Sequence, residues 1–268
     1  MVRAALGETM DELSPLSLEV VRRRIDEIDA AVLRLIDERA GLAHSVAEAK
    51  KAAGEGQGFA LRPAREAEVL RNLLRQRTTA SPQLVVYLWR QIMADSLARQ
   101  GPYHLSIWGG PRLAELARLR FGASPPLRLA AEPAEVLAAA KTQGGVGVLA
   151  LTPDNAWWGR LLAEPGLSVF AALPDLARPA PAALAVAAVE VEPSGGDETL
   201  WVTDSALPAA KIVEALARDG LAADLLVQAG GLKLFTLAGF VQRGDARLER
   251  APGELKGVIG AASTPFDV

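Results

Sequence analysis

The sequence predicts a multi-domain protein in which an all-helical N-terminal module precedes an α/β region. Three observations carry that prediction. From Leu18 to Ala49 the apolar residues recur at steps of three and four, the spacing of one helix face. Past Gly101-Pro102 the pattern changes to short apolar runs that alternate with helical stretches and turn signals. The chain has 268 residues, 50% hydrophobic and 23% charged, enough for two or three separate cores. The boundaries that follow are a loose tail over 1–16, a helical module over 17–101, an α/β unit over 102–200 and a last unit over 201–268.

Ser17 suits the N-cap of the first helix, because its hydroxyl can accept from an unsatisfied backbone N–H of the opening turn. The stripe then runs Leu18, Val21, Ile25, Ile28, Val32, Leu35, Leu42, Val46 and Ala49, and the loop GEGQG should end it at Gly54. That makes about 37 residues and roughly 55 Å of helix. Such a helix is too long to bury its stripe inside one small module. It needs a partner, most simply a second copy of the chain. A second helix starts at Arg62-Pro63, with proline at the first helical position, and carries Val69, Leu70, Leu73 and Leu74. A third runs from Ser81-Pro82 to about Gln100, with Val85, Leu88, Ile92 and Met93.

The second half reads as strand HLSIW, turn GGP, helix 112–120, strand LRLAA, helix 133–141, strand VGVLAL and strand LSVFAAL. A Pro/Ala-rich stretch over 174–189 follows, with no strand assigned to it. The last block is strand TLWVTD, helix 208–219, strand ADLLVQ, strand KLFTLAGFV, a short helix and strand GVIGAA, a βαββαβ order.

Composition excludes several classes of function. A net charge of −3 argues against a nucleic-acid partner, which would call for a basic excess. With no cysteine there is no disulfide, thiolate metal site or cysteine nucleophile. Two histidines, His44 and His104, do not make a multi-histidine metal site, and His44 sits among polar neighbours as a solvated side chain would. The longest uncharged run is 12 residues, against about 18 for a membrane-spanning helix. The N-terminus MVRAALGETMDELSPLS lacks the apolar core of a signal peptide, so a soluble cytoplasmic protein without membrane contact is expected.

Polar residues interrupt the helical stripes. Arg39 occupies the stripe position between Leu35 and Leu42; Glu66 lies four before Leu70; Ser96 lies four after Ile92, and Gln100 four after Ser96. Buried charge is costly unless paired. Either these groups pair with one another, or the helix ends are exposed, or the groups face a ligand. Lys50 follows Arg39 by 11 residues and so faces nearly the same way, about 16 Å along the axis. Two long cationic side chains at that spacing can converge on one small dianion, which makes a small dicarboxylate the implied substrate. Arg22 lies 17 residues before Arg39, about 25 Å away. It can share that ligand only in a partner whose helix packs antiparallel.

These residues and spacings resemble the chorismate mutases of the all-helical class. The resemblance covers about residues 17–101, through VRRRIDEIDAAVLRLIDERAGLAHSVAEAK, RPAREAEVLRNL and QIMADSLARQ. It implies an intertwined homodimer of one long and two shorter helices. It also implies roles: Arg22 crosses to the partner's site, Arg39 grips a substrate carboxylate, and Lys50 and Gln100 contact the ether oxygen. Arg65 and Glu66 match the Arg-Glu pair that opens the second helix, with Glu66 facing the substrate hydroxyl, and Ser96 matches the serine four before the glutamine. One position departs: where the family often has an aspartate, this chain has Arg62, which leaves only a backbone contact from that turn. The implied reaction rearranges chorismate to prephenate by a pericyclic shift that calls for no nucleophile, metal or cofactor. Negative charge gathers on the ether oxygen as the C–O bond breaks, where a fixed ammonium and amide would stabilise it. The arginines would hold the flexible enolpyruvyl arm over the ring.

Residues 102–200 resemble a reduced prephenate dehydratase lobe and 201–268 an ACT-type regulatory unit. SIWGGPRLAELARLRFG is similar to the dehydratase's first strand, Gly-Pro turn and helix; TPDNAWWG is similar to its Pro-x-Glu-Asn-Ser-x-x-Gly motif, with Asp154, Asn155 and Gly159 kept and Ala156 for serine. Its Thr-Arg-Phe motif, with the catalytic threonine, is replaced by Glu198-Thr199-Leu200. Of the ACT loop Gly-Ala-Leu, Ala206-Leu207 remain behind Ser205, and LLVQAGG stands where the phenylalanine-binding motif would be. Gly109-Gly110 lacks the rest of a phosphate-loop fingerprint and reads as a tight turn. Trp157-Trp158 can line a pocket or simply pack.

The expected protein is a homodimeric chorismate mutase of the shikimate pathway whose C-terminal region lacks dehydratase chemistry, with 17–101 sufficient for the mutase. The alternatives are a working bifunctional mutase/dehydratase, an isochorismate pyruvate lyase on the same helical fold, and a non-catalytic regulatory dimer. Arg39 in the helix seam argues against the last, since a charge there costs stability.

Overall fold

The computed structural model describes residues 17–52, 59–176 and 180–266; at 43, 44, 46, 47 and 49–52 only the backbone is described. The tail expected over 1–16 lies outside these residues.

Three helices open the chain: α1 (Leu18–Ala52), α2 (Pro63–Gln76) and α3 (Pro82–Gln100). Their starts follow local chemistry. The Ser17 hydroxyl accepts from Val20 N, the Ser81 hydroxyl accepts from Leu84 N, and proline stands in the first turn of α2 and α3. α1 lies against α3. From Ser17 to Leu35 every residue of the chain is exposed, its apolar stripe included.

The rest is a mixed sheet with helices. Its strands are β1 (His104–Trp108), β2 (Leu127–Leu129), β3 (Gly145–Ala150), β4 (Ser168–Leu173), β5 (Ala183–Ala187), β6 (Asp197–Thr203), β7 (Ala223–Ala229), β8 (Leu232–Ala238) and β9 (Lys256–Ser263). The helices are α4 (Pro111–Phe121), α5 (Pro133–Ala140) and α6 (Ala209–Arg218). Among the described residues the strands form one nine-stranded sheet in the order β2-β1-β3-β5-β4-β9-β6-β8-β7. The last unit is β6-α6-β7-β8, a single 3-10 turn at Ala246–Leu248, then β9. It has the βαββαβ order read from the sequence, with its second helix reduced to that turn.

Two features were not read from the sequence. The Pro/Ala-rich stretch contains β5, antiparallel to both β3 and β4 and buried at all five residues. Alanine carries little strand signal, yet small residues suit the middle of a sheet covered on both faces. The two halves of the sheet also join, through Val169 on β4 and Gly260 on β9. Gly260 has φ +147°, and a Cβ there would strike the Val169 backbone, so only glycine permits this approach.

The helical module does not keep its core to itself. Leu61, Ala94 and Leu97 belong to one cluster with Leu105, Ile107, Phe121 and Phe170 of the sheet region. Ala67, Leu70 and Val86 pack with Leu176 and Phe266. Full burial of a side chain such as Leu70 contributes about 1.5–3 kcal/mol, and α2 and α3 obtain much of it from the sheet region.

Candidate functional site

Three of the residues expected at a site meet where α1 crosses α3. Arg39 Nη1 donates to Ser96 Oγ at 2.5 Å and lies 3.5 Å from Ile92 O. Ser96 Oγ in turn donates to Ile92 O at 2.8 Å, and Gln100 Nε2 donates to Ser96 O at 3.0 Å. The step of four along α3 stacks Ile92, Ser96 and Gln100 on one face, and Arg39 reaches that face from the middle of α1. Ser96 is buried and Arg39 half-buried. Among the described residues Arg39 forms no ion pair, so a half-buried guanidinium faces this corner with donors to spare. That arrangement suits an anion.

Arg62, Arg65 and Glu66, expected in the same site of the same chain, are not gathered there, and Arg22 was expected only from the partner chain. Arg22 is exposed on the bare half of α1, and the backbone of Lys50 lies near the end of that helix while its side chain, like that of His44, is outside the description. Arg62 is exposed at the N-cap of α2. Arg65 is also exposed, and its Nη1 pairs with Glu68 Oε2 at 2.6 Å.

Glu66 enters a different assembly. Its Oε2 accepts from Arg90 Nη1 at 2.8 Å and from Arg120 Nη1 at 3.1 Å. Asp175 completes the group: Arg90 Nε and Nη2 both face its Oδ2, at 2.7 and 2.6 Å. Arg120 Nε lies 3.2 Å from Asp175 Oδ1, within ion-pair range but off the line that a hydrogen bond needs. Side-chain exposure is 2% for Arg90, 6% for Arg120, 10% for Asp175 and 16% for Glu66, so the glutamate is the member nearest water. Two cations against two anions leave the cluster neutral, the condition under which buried charge is tolerated.

Burial pulls the Arg90 guanidinium down from its ordinary value, and the nearby Arg120 charge adds to this. For Arg120 burial is the largest influence and also lowers, but Asp175 and Glu66 together outweigh it and the net shift is upward. Tyr103, whose hydroxyl donates to Phe121 O, is pushed up by burial and then by Glu66. Arg90 and Ser96 are six residues apart on α3, about 120° around its axis. Glu66 and Arg39 therefore approach that helix from different sides.

Sequence reasoning did not single out Arg90, Arg120 or Asp175. A signal existed for the first: Val86, Arg90, Ala94 and Leu97 share a stripe, and a charge inside a buried stripe asks for a partner. Arg71 was also missed; from α2 it donates to Ser194 O and Oγ and to Gly196 O, next to Asp197.

In the sheet region, Asp154 is exposed and Asn155 pairs with Thr152 in a short bridge. Thr199 is fully buried; its Oγ1 donates to Gly239 O at 2.7 Å and accepts from Val241 N at 2.8 Å. Trp157 and Trp158 are packed edge to face in the core, and Trp157 Nε1 donates to Ala150 O. Gly109-Gly110 forms the turn that starts α4. Among the described residues no group of three or more His, Cys, Asp or Glu is arranged to hold a metal ion.

Residues 21–101 match the family model for chorismate mutase type II. A bifunctional chorismate mutase/prephenate dehydratase of Neisseria gonorrhoeae is 37% identical over 105 residues, 39% of this chain and 26% of that protein. A protein of the same name from Pseudomonas aeruginosa is 37% identical over 95 residues, 34% of this chain and 26% of that protein. The similarity thus spans about a quarter of the length of these relatives. Among solved structures, a prephenate dehydratase from Streptococcus mutans gives a TM-score of 0.36 at 12% identity, over 62% of this chain and 100% of that one. GqqA, described as a quorum quenching acylase, gives 0.39 at 16% identity, over 61% and 96%.

Proposed function

We propose that the protein is a homodimeric chorismate mutase that converts chorismate to prephenate. The observation that carries the reading is the Arg39 corner: a half-buried guanidinium without a carboxylate partner among the described residues, fixed by Ser96 beside Gln100, inside the segment that matches the mutase family. Arg39 grips a substrate carboxylate, and Arg22 of the partner chain reaches in for the other. Lys50 and Gln100 donate to the ether oxygen as it gains negative charge. Arg62 and Arg65 stand exposed at the start of α2, and Glu66, which the resemblance puts at the ring hydroxyl, is held instead by Arg90 and Arg120 on another side of α3 and takes no part in this reading. The rearrangement is unimolecular and needs no cofactor.

The dimer is supported by the bare stripe of α1, where Ile25 is 50%, Ile28 47% and Leu42 63% exposed. Monomeric proteins seldom leave so continuous an apolar face to water. An antiparallel pairing of two such helices covers it and brings each Arg22 to the other chain's Arg39.

The sheet region has no dehydratase activity in this reading. Thr199 is the hydroxyl nearest in sequence to the expected catalytic threonine, and it is buried with both its donor and acceptor roles in use. No helix among the described residues is long and apolar enough to cross a membrane, and we assign the protein to the cytoplasm, where aromatic amino acid precursors are made.

The test is to incubate the purified protein with chorismate at neutral pH and identify the product. Prephenate is expected. Salicylate would indicate the lyase, and unchanged chorismate a non-catalytic dimer.

A further inference from the structure

We propose that the seam between the two halves of the sheet is a binding site for a small organic amine, a primary ammonium on an aromatic or other apolar body. Nothing in this depends on the mutase reading.

The topology opens the seam. β4 and β9 run parallel and meet in register only at Val169 and Gly260. The chain that leaves β5 for β6 must pass both of these strands, because they stand between β5 and β6 in the sheet order. It does so over residues 188–196, without strand structure. On the other side, the stretch after β8 is drawn against the start of β4 by Arg243. Its Nη1 donates to Pro165 O at 2.9 Å, and its Nη2 donates to Leu167 O at 3.0 Å and to Ser168 Oγ at 3.1 Å. Between these two walls lies a cleft of about 670 Å³, which Val258 and Ala261 of β9 also line. Small-molecule sites run from about 300 to 1,000 Å³.

The lining decides what fits. Val191 and Phe240 are half-buried, Val241 and Val258 are buried, and together they give the cleft apolar walls on which a ring can pack. Glu190 and Glu192 line it as well; both are exposed, and neither forms an ion pair among the described residues. Among the described residues Arg243 is the only cation in the lining, and both its Nη atoms are engaged with the start of β4. Two carboxylates against one cation leave the cleft net negative, which favours an ammonium and repels an anion.

The probe is 2-phenylethylamine, titrated into the full chain by calorimetry at neutral pH and low salt. Phenylalanine and 3-phenylpropionate present the same ring on the same two-carbon arm, as a zwitterion and as an anion. One saturable site per chain is expected, with the amine about tenfold tighter than either control and weakened by added salt. Glu190→Gln combined with Glu192→Gln should weaken it about tenfold, the order of one charge-assisted hydrogen bond. Phe240→Ala, which strips the apolar wall and keeps the charges, should weaken it about tenfold too. The glutamates are exposed and off the strands, so the fold should survive their replacement, and circular dichroism checks this. No saturable binding, binding that the glutamate pair does not alter, or 3-phenylpropionate as tight as the amine overturns the proposal. Phenylalanine tighter than the amine overturns it too, since its carboxylate then gains from Arg243.

Discussion

Arg39 and Ser96, 57 residues apart, are joined by a 2.5 Å hydrogen bond that ties the middle of α1 to the last turns of α3. The serine also donates to its own helix at Ile92, so a hydroxyl with little freedom fixes the direction of the guanidinium. Ser96→Ala should leave the fold intact and let the Arg39 head wander. We expect kcat/KM for chorismate to fall about tenfold, the order of one hydrogen bond to a charged group. Arg39→Ala should cost about 10²–10³. Steady-state kinetics beside far-UV circular dichroism of both variants checks the order.

Arg22 and Lys50 should complement one another across the dimer. Arg22→Ala and Lys50→Ala are each expected to be nearly inactive, because every site carries one lesion. Subunit exchange between them at equal amounts makes about half the dimers mixed, and each mixed dimer holds one intact site, so activity should recover toward roughly a quarter of wild type. If mass spectrometry confirms exchange and activity stays at the level of the parents, the shared site is wrong.

Ile28 lies near the middle of the bare stripe of α1. Ile28→Asp places a charge where two copies are expected to meet, and burying it unpaired costs several kcal/mol. Sedimentation equilibrium should show monomer at concentrations where wild type is dimeric, and mutase activity should be lost with the dimer. A variant that sediments as a dimer would mean that α1 pairs through another face.

Prephenate should accumulate without conversion to phenylpyruvate. Thr199 Oγ1 is committed to Gly239 O and the Val241 N–H, and a nucleophilic or acidic role would need it free. Product analysis must avoid acid, which converts prephenate without an enzyme. Enzyme-dependent phenylpyruvate at neutral pH would show dehydratase chemistry in the sheet region.

The fragment 17–101 is a sharper case than the sequence suggested. The matched mutase positions all lie in it, which is why it was expected to suffice. Its α2 and α3, however, share cores with the sheet region through Leu61, Leu70, Ala94 and Leu97, and its Glu66 loses Arg120. We expect the fragment to melt well below the full chain and to turn over more slowly. A fragment matching the full chain in Tm and kcat would show that the shared cores contribute little.

The sequence by itself determined most of the element list and the Arg39 corner. The steps of three and four, the serines and prolines at helix starts and the turn glycines all act over a few residues, so α1, α2, α3 and the βαββαβ order were legible without a fold. Ser96 and Gln100 were legible because each sits four residues from its neighbour on α3, and Arg39 because it breaks a stripe. Only the tertiary structure decided which surfaces meet. β5 is a run of small residues that becomes a strand because β3 and β4 offer it edges on both sides. The cluster around Glu66 joins residues 24, 54 and 85 positions apart. A local pattern shows that a charge such as Arg90 needs a partner, but the partner is supplied by whichever helix and loop the docking of α2 and α3 brings against it. That docking follows from the summed burial of side chains on both sides of the contact, a quantity that no single segment carries.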